Sequence, residues 1–101
     1  MPLKAFDSKQ PWEEYHVGFN FSALLGEDTI ATASVSAIDL ETGDDVTDTI
    51  TDSEEQITSG SMVYVWVRSG SDGGRYRITC RVTSSSGSRW ELDGLLPVSE
   101  V

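Results

Sequence analysis

Cysteine, histidine and lysine are all scarce in this chain, and each scarcity removes a class of function. The one cysteine, Cys80, permits no intramolecular disulfide, which excludes a disulfide-stapled secreted scaffold. Together with the one histidine, His16, it falls short of every common zinc set. No G-x-S-x-G elbow occurs, and His16 falls on the strand face opposite the neighbouring aromatics, so a Ser/His/Asp triad lacks both nucleophile and oriented base. The sequence therefore predicts no catalytic residues, no cofactor-binding residues, no metal ligands and no cofactor. Basic residues are few as well: 7 against 17 acidic, for a net charge of −10 and a pI near 4.2. A phosphate-backbone binder needs a basic footprint, so nucleic acid is a poor partner, and anionic membrane surfaces are disfavoured for the same reason. Long apolar runs are missing too. The longest, Met62 to Val67, is far too short to span a bilayer, and Met1 to Asp7 shows no signal-peptide h-region, so the expectation is synthesis in a reducing cytoplasm without an export signal.

What is present is strand alternation. With 101 residues, 38% hydrophobic and 24% charged, the chain suits one globular domain spanning 1–101 around one core, with residues 1–13 as an extended N-terminal arm. Tyr15, Val17, Phe19 and Phe21 alternate with His16, Gly18 and Asn20, predicting a strand with one buried face. A short turn, opened by Ser22 and closed by Gly26, leads to a second strand over Thr29–Ala37. After the turn Thr42-Gly43-Asp44-Asp45, Val46–Ile50 reads as extended again. Met62–Arg68 is the strongest strand and is apolar on both faces, so it is central and covered twice, or else covered by a partner. Trp66 is assigned to the core. Arg75–Thr83 alternates cleanly, with Tyr76, Ile78, Cys80 and Val82 inward, and Arg89–Val98 supplies a last strand. Short strands with regular turn signals predict an all-β antiparallel sandwich of about seven strands.

Asp72-Gly73-Gly74-Arg75-Tyr76-Arg77-Ile78 has the spacing D-x-G-x-Y-x-apolar. Immunoglobulin-like and fibronectin III-like sandwiches use it for a tyrosine corner, in which the hydroxyl bonds back to the backbone of the turn. Where antibody domains place a disulfide cysteine, this chain has Ile78.

Charge is unevenly distributed. Eight carboxylates lie between Asp39 and Glu55, a solvated acidic segment whose spacing matches no EF-hand but whose loops offer oxygen ligands for calcium. Five arginines occupy the C-terminal third, and Arg75, Arg77 and Arg81 share one strand face, suited either to cross-strand pairing or to a protein interface. Trp12, before the first strand, and Trp90, beside Arg89, are candidate exposed anchors. The candidate interface is accordingly Trp12, Arg75, Arg77, Arg81, Arg89 and Trp90.

The stretch Thr58–Val67, then Gly70, Gly74–Thr83 and Gly87, resembles the C-terminal half of small tail-fibre adaptor proteins of tailed bacteriophages and prophages. Lys9-Gln10-Pro11, and Phe19-Asn20-Phe21-Ser22 followed by Leu25, are similar to that family's opening. The resemblance implies a non-enzymatic virion protein with an Ig-like fold, made in the bacterial cytoplasm, docked in several copies to tail or fibre proteins and open to self-association in the particle. A second reading is a carbohydrate- or cell-surface-binding module, with Trp12 or Trp90 as platform and calcium in the acidic loops.

Overall fold

The computed structural model describes residues 4–101. Its strands are β1 (Lys4–Ala5), β2 (Tyr15–Asn20), β3 (Ile30–Asp39), β4 (Thr51–Ser59), β5 (Met62–Val67), β6 (Arg75–Ser84) and β7 (Arg89–Pro97). Two single helical turns, α1 (Ser22–Leu25) and α2 (Thr47–Ile50), link them. One antiparallel sheet has β6 between β3 and β7; the other has β5 between β2 and β4. The two-residue β1 adds in parallel to the free edge of β7. Six full-length strands thus build the sheets, with β1 a short addition.

One hydrophobic cluster joins the sheets. Val17 and Phe19 from β2 and Val63, Val65 and Val67 from β5 are buried with Ala37 from β3, Tyr76, Ile78, Cys80 and Val82 from β6, and Leu96 from β7. Each fully buried Val, Ile, Leu or Phe contributes about 1.5–3 kcal/mol relative to exposure. The fold is all-β and compatible with a β-sandwich.

Three local expectations need correction. Residues 46–50 are not extended: the Asp45 carboxylate accepts from the backbone N–H and the hydroxyl of Thr47, and the Ile50 N–H reaches the Val46 carbonyl, closing α2 and burying Ile50. Ser22 does not cap α1. Its own N–H is taken by Asn20 Oδ1, Phe21 holds the cap position, and Gly26 at φ 61° ends the turn. Trp66 lies outside the core, because its strand neighbours Val65 and Val67 take the inward positions and strand alternation sends it to the opposite face.

The turn before β6 has the tyrosine-corner geometry. The Tyr76 hydroxyl accepts from the Ser71 N–H at 3.0 Å while its ring is buried, and Ile78 fills the core two residues on. Residues 4–9 run along β7. The Phe6 N–H donates to the Leu95 carbonyl, and the Phe6 ring packs edge-on against Phe19 at 5.4 Å. That ring fits because position 94 is glycine: a Cβ there would clash with the Phe6 ring.

Candidate interaction surfaces

Two outward faces and one corner carry the residues singled out from the sequence. The corner is built on Lys9, which is completely buried. Its ammonium donates to the carbonyls of Ser69 at 2.6 Å, Gln10 at 2.8 Å and Pro11 at 3.3 Å. Desolvation lowers its pKa below the usual lysine value, and the nearby Glu13 and Glu14 carboxylates offset part of that effect. Its backbone bonds to Pro97 and Ser99, anchoring the corner to the end of β7. Glu13 closes the turn: its carboxylate accepts from the Gln10 N–H at 2.7 Å and its own N–H reaches the Gln10 carbonyl. The turn so fixed holds Trp12 almost wholly in solvent, 91% exposed.

The outer face of the β3–β6–β7 sheet carries the arginines. Arg81 pairs with Glu91 directly across β6 and β7, as the cross-strand reading expects. Arg75 is exposed opposite Pro97, and Arg77 sits half-buried with its Nε lacking an acceptor among the described residues. Arg89 opens β7 at the far end on this outer face. Trp90, opposite the core residue Val82, lies instead on the inner side of the sheet where the core ends, 36% exposed. It stands beside an open depression of about 470 Å³ lined by Ala33, Arg81, Val82, Arg89 and Trp90 among others. The six candidate residues are therefore not one patch. Trp12 lies by Ser69, ahead of the start of β6, whereas Trp90 pairs with Val82 near its end, about 20 Å away at strand rise.

The outer face of the β2–β5–β4 sheet is the feature that a core assignment of Trp66 concealed. His16, Met62, Tyr64 and Trp66 are only half-buried there, and Ile57 beside them is 49% exposed. The His16 ring stands edge-on to Trp66 at 5.0 Å and to Tyr64 at 6.4 Å. Gly18 leaves room for this layer, since a Cβ at that position would come 2.9 Å from Met62 Cε. The signal was present in the sequence: Met62–Val67 is apolar on both faces, and one of the two readings of that pattern was coverage by a partner.

Acidic side chains frame this face. The Trp66 indole N–H donates to Glu14 at 3.2 Å. Pairing of β4 with β5 shifts between Asp52 and Ile57, and the bulging residues 53–56 bring the Glu55 carbonyl to His16 Nε2, which donates to it at 2.7 Å. Arg68 is committed to the Asp52 carboxylate and the Asp48 carbonyl.

Three carboxylates of the acidic segment serve the backbone. Asp39, Asp45 and Asp52 each accept from the N–H two residues on, the side-chain turn that Asp forms locally. The Thr47 hydroxyl, with the Thr47 N–H, holds Asp45 below the usual carboxylate range, as the Ser86 and Ser84 hydroxyls do for Asp28. Among the described residues, no three His, Cys, Asp or Glu side chains converge as a metal-binding group. Cys80 is fully buried, and desolvation pushes its thiol up to about 12, which leaves it inert as a nucleophile.

The chain belongs to the family described as podophage GP4 fiber-tail adaptor protein gp77, whose model matches residues 9–96, from the buried Lys9 to the buried Leu96. It is thus a phage tail-fibre adaptor protein by family. No curated protein matches the chain. Among the described residues, no helix is long and apolar enough to cross a membrane.

Proposed function

We propose that this chain is a non-enzymatic virion component that joins tail and fibre by protein–protein contact, working as one Ig-like domain over residues 1–101. The single observation that carries the reading is the adaptor-family match over residues 9–96. The tyrosine corner at Tyr76 supports the Ig-like assignment. The inert Cys80 and the half-buried His16 on an aromatic layer favour a binding role over catalysis. Its partners are other tail or fibre proteins, and copies of the chain meet in the assembled particle. A net charge of −10 argues against nucleic acid and membrane as partners. Trp12 and Trp90 act as anchors at opposite ends, with Arg75, Arg77 and Arg81 along the outer face of the sheet between them and Arg89 just beyond Trp90, an arrangement suited to bridging two neighbours.

The test is recovery from particles. After induction of the source bacterium with a DNA-damaging agent and density-gradient purification, mass spectrometry is expected to find the chain in the particle band at several copies. Particles that form while the chain stays in the lysate would overturn the proposal.

A further inference from the structure

We infer that the outer face of the β2–β5–β4 sheet is the docking surface for a tail or fibre protein that presents an apolar patch rimmed by arginine or lysine; this rests on the adaptor reading above. The centre of the face is an ordered aromatic layer. Tyr64 and Trp66 are locked by the edge-on His16, and His16 is fixed in turn by its bond to the Glu55 carbonyl. Rigid, half-exposed tryptophan and tyrosine are the side chains that most often dominate interface energies, because they lose little conformational freedom on contact. The layer continues to Trp12 through Glu14, which borders the hollow beside Trp12 and accepts from Trp66.

The rim decides the chemistry of the partner. Glu13 and Glu14 stand at the Trp12 end, and exposed Glu54 and Glu55 stand on the bulge of β4. Arg68, the cation at the Trp66 end, is already held by Asp52 and Asp48. A complementary surface must therefore supply positive charge. A second copy of the chain meeting this face two-fold would set acid against acid, at −10 per copy. The opposite sheet of such a copy carries Arg75, Arg77 and Arg89 beside the Arg81–Glu91 pair, so a head-to-tail second copy is the competing occupant, and the solution-dimer measurement below decides for or against it.

The test uses particles assembled without the chain, incubated with purified wild-type or variant protein and sedimented. Wild-type chain is expected to be retained. Tyr64→Ser and the double change Glu54→Lys with Glu55→Lys should lower retention tenfold or more, and retention should weaken with salt. The two glutamates are exposed, so their variant keeps its fold, checked by circular dichroism. The charge-matched control Glu41→Lys with Asp44→Lys, in the loop after β3, should bind like wild type. Retention of both face variants at the wild-type level removes this inference and leaves the adaptor reading standing. A solution dimer that the face variants abolish also overturns it, since a second copy would then occupy the face. Failure of the wild-type chain itself to be retained brings down the adaptor reading, and this inference with it.

Discussion

Lys9 is a cation placed where a hydrophobic residue would ordinarily sit, and three backbone carbonyls from two segments depend on it. Lys9→Met keeps the length and removes the donor. It is expected to destabilise by about 1–3 kcal/mol in urea denaturation, because the Gln10, Pro11 and Ser69 carbonyls lose the donor they share. Nothing local in Lys9-Gln10-Pro11 announces this, since the closest acceptor, Ser69, lies sixty residues further along the chain. Cys80 behaves in the opposite way, its burial being readable from alternation in β6. Its raised pKa means that the folded state holds the thiol proton after the unfolded state has lost it. Stability from this group is therefore complete below pH 9 and is lost as pH rises from 9 towards 12. Denaturation midpoints compared with Cys80→Ala should show the wild type losing about 1.4 kcal/mol per pH unit relative to the variant across that window. Lys9 and Tyr15 titrate in both proteins and drop out of the difference.

At the scale of elements, the β5–β6 connection was legible, whereas of the β3–β4 connection only the turn around Gly43 was. The D-x-G-x-Y spacing marks the turn before β6 because a turn, a tyrosine and an inward strand position must fall in one order for the hydroxyl to reach Ser71. Tyr76→Phe deletes that one bond and should cost about 1 kcal/mol, seen as a melting temperature lower by about 4–8 °C. Residues 51–56 gave no strand pattern, since Asp52, Glu54 and Glu55 stand on the free edge of a bulged strand, where charge is tolerated and alternation breaks down. The α2 turn was missed for a related reason: it follows from a side-chain bond between Asp45 and Thr47 rather than from apolar spacing. At the other edge, Phe6 and Gly94 form one contact between the N-terminal segment and β7. Gly94→Ala should destabilise by about 1–3 kcal/mol, through overpacking against the ring. In a Phe6→Ala background the same change should cost much less, which a double-mutant cycle by chemical denaturation would show.

For the whole molecule, the sequence pattern pointed to two sheets around one core, and the family match over residues 9–96 agrees with the resemblance, whose motifs run from Lys9-Gln10-Pro11 to Gly87. The surface was harder to read. A tryptophan within an apolar strand has the composition of a core, and only the partition of Val63, Val65 and Val67 to one side shows that Trp66 faces outward with Tyr64. Similarly, the arginine stripe and the two other tryptophans look like one patch in sequence but are spread along β6 by its length. Both features suit a small connector, which must offer contacts in more than one direction from a rigid body.

The central claim is that the chain joins fibre to tail. Deleting its gene and imaging the resulting particles by electron microscopy tests that claim most directly. Particles with tails that lack fibres are expected, with recovery of the fibres when purified chain and fibre protein are added back. Fully fibred particles assembled in the complete absence of the chain would contradict it.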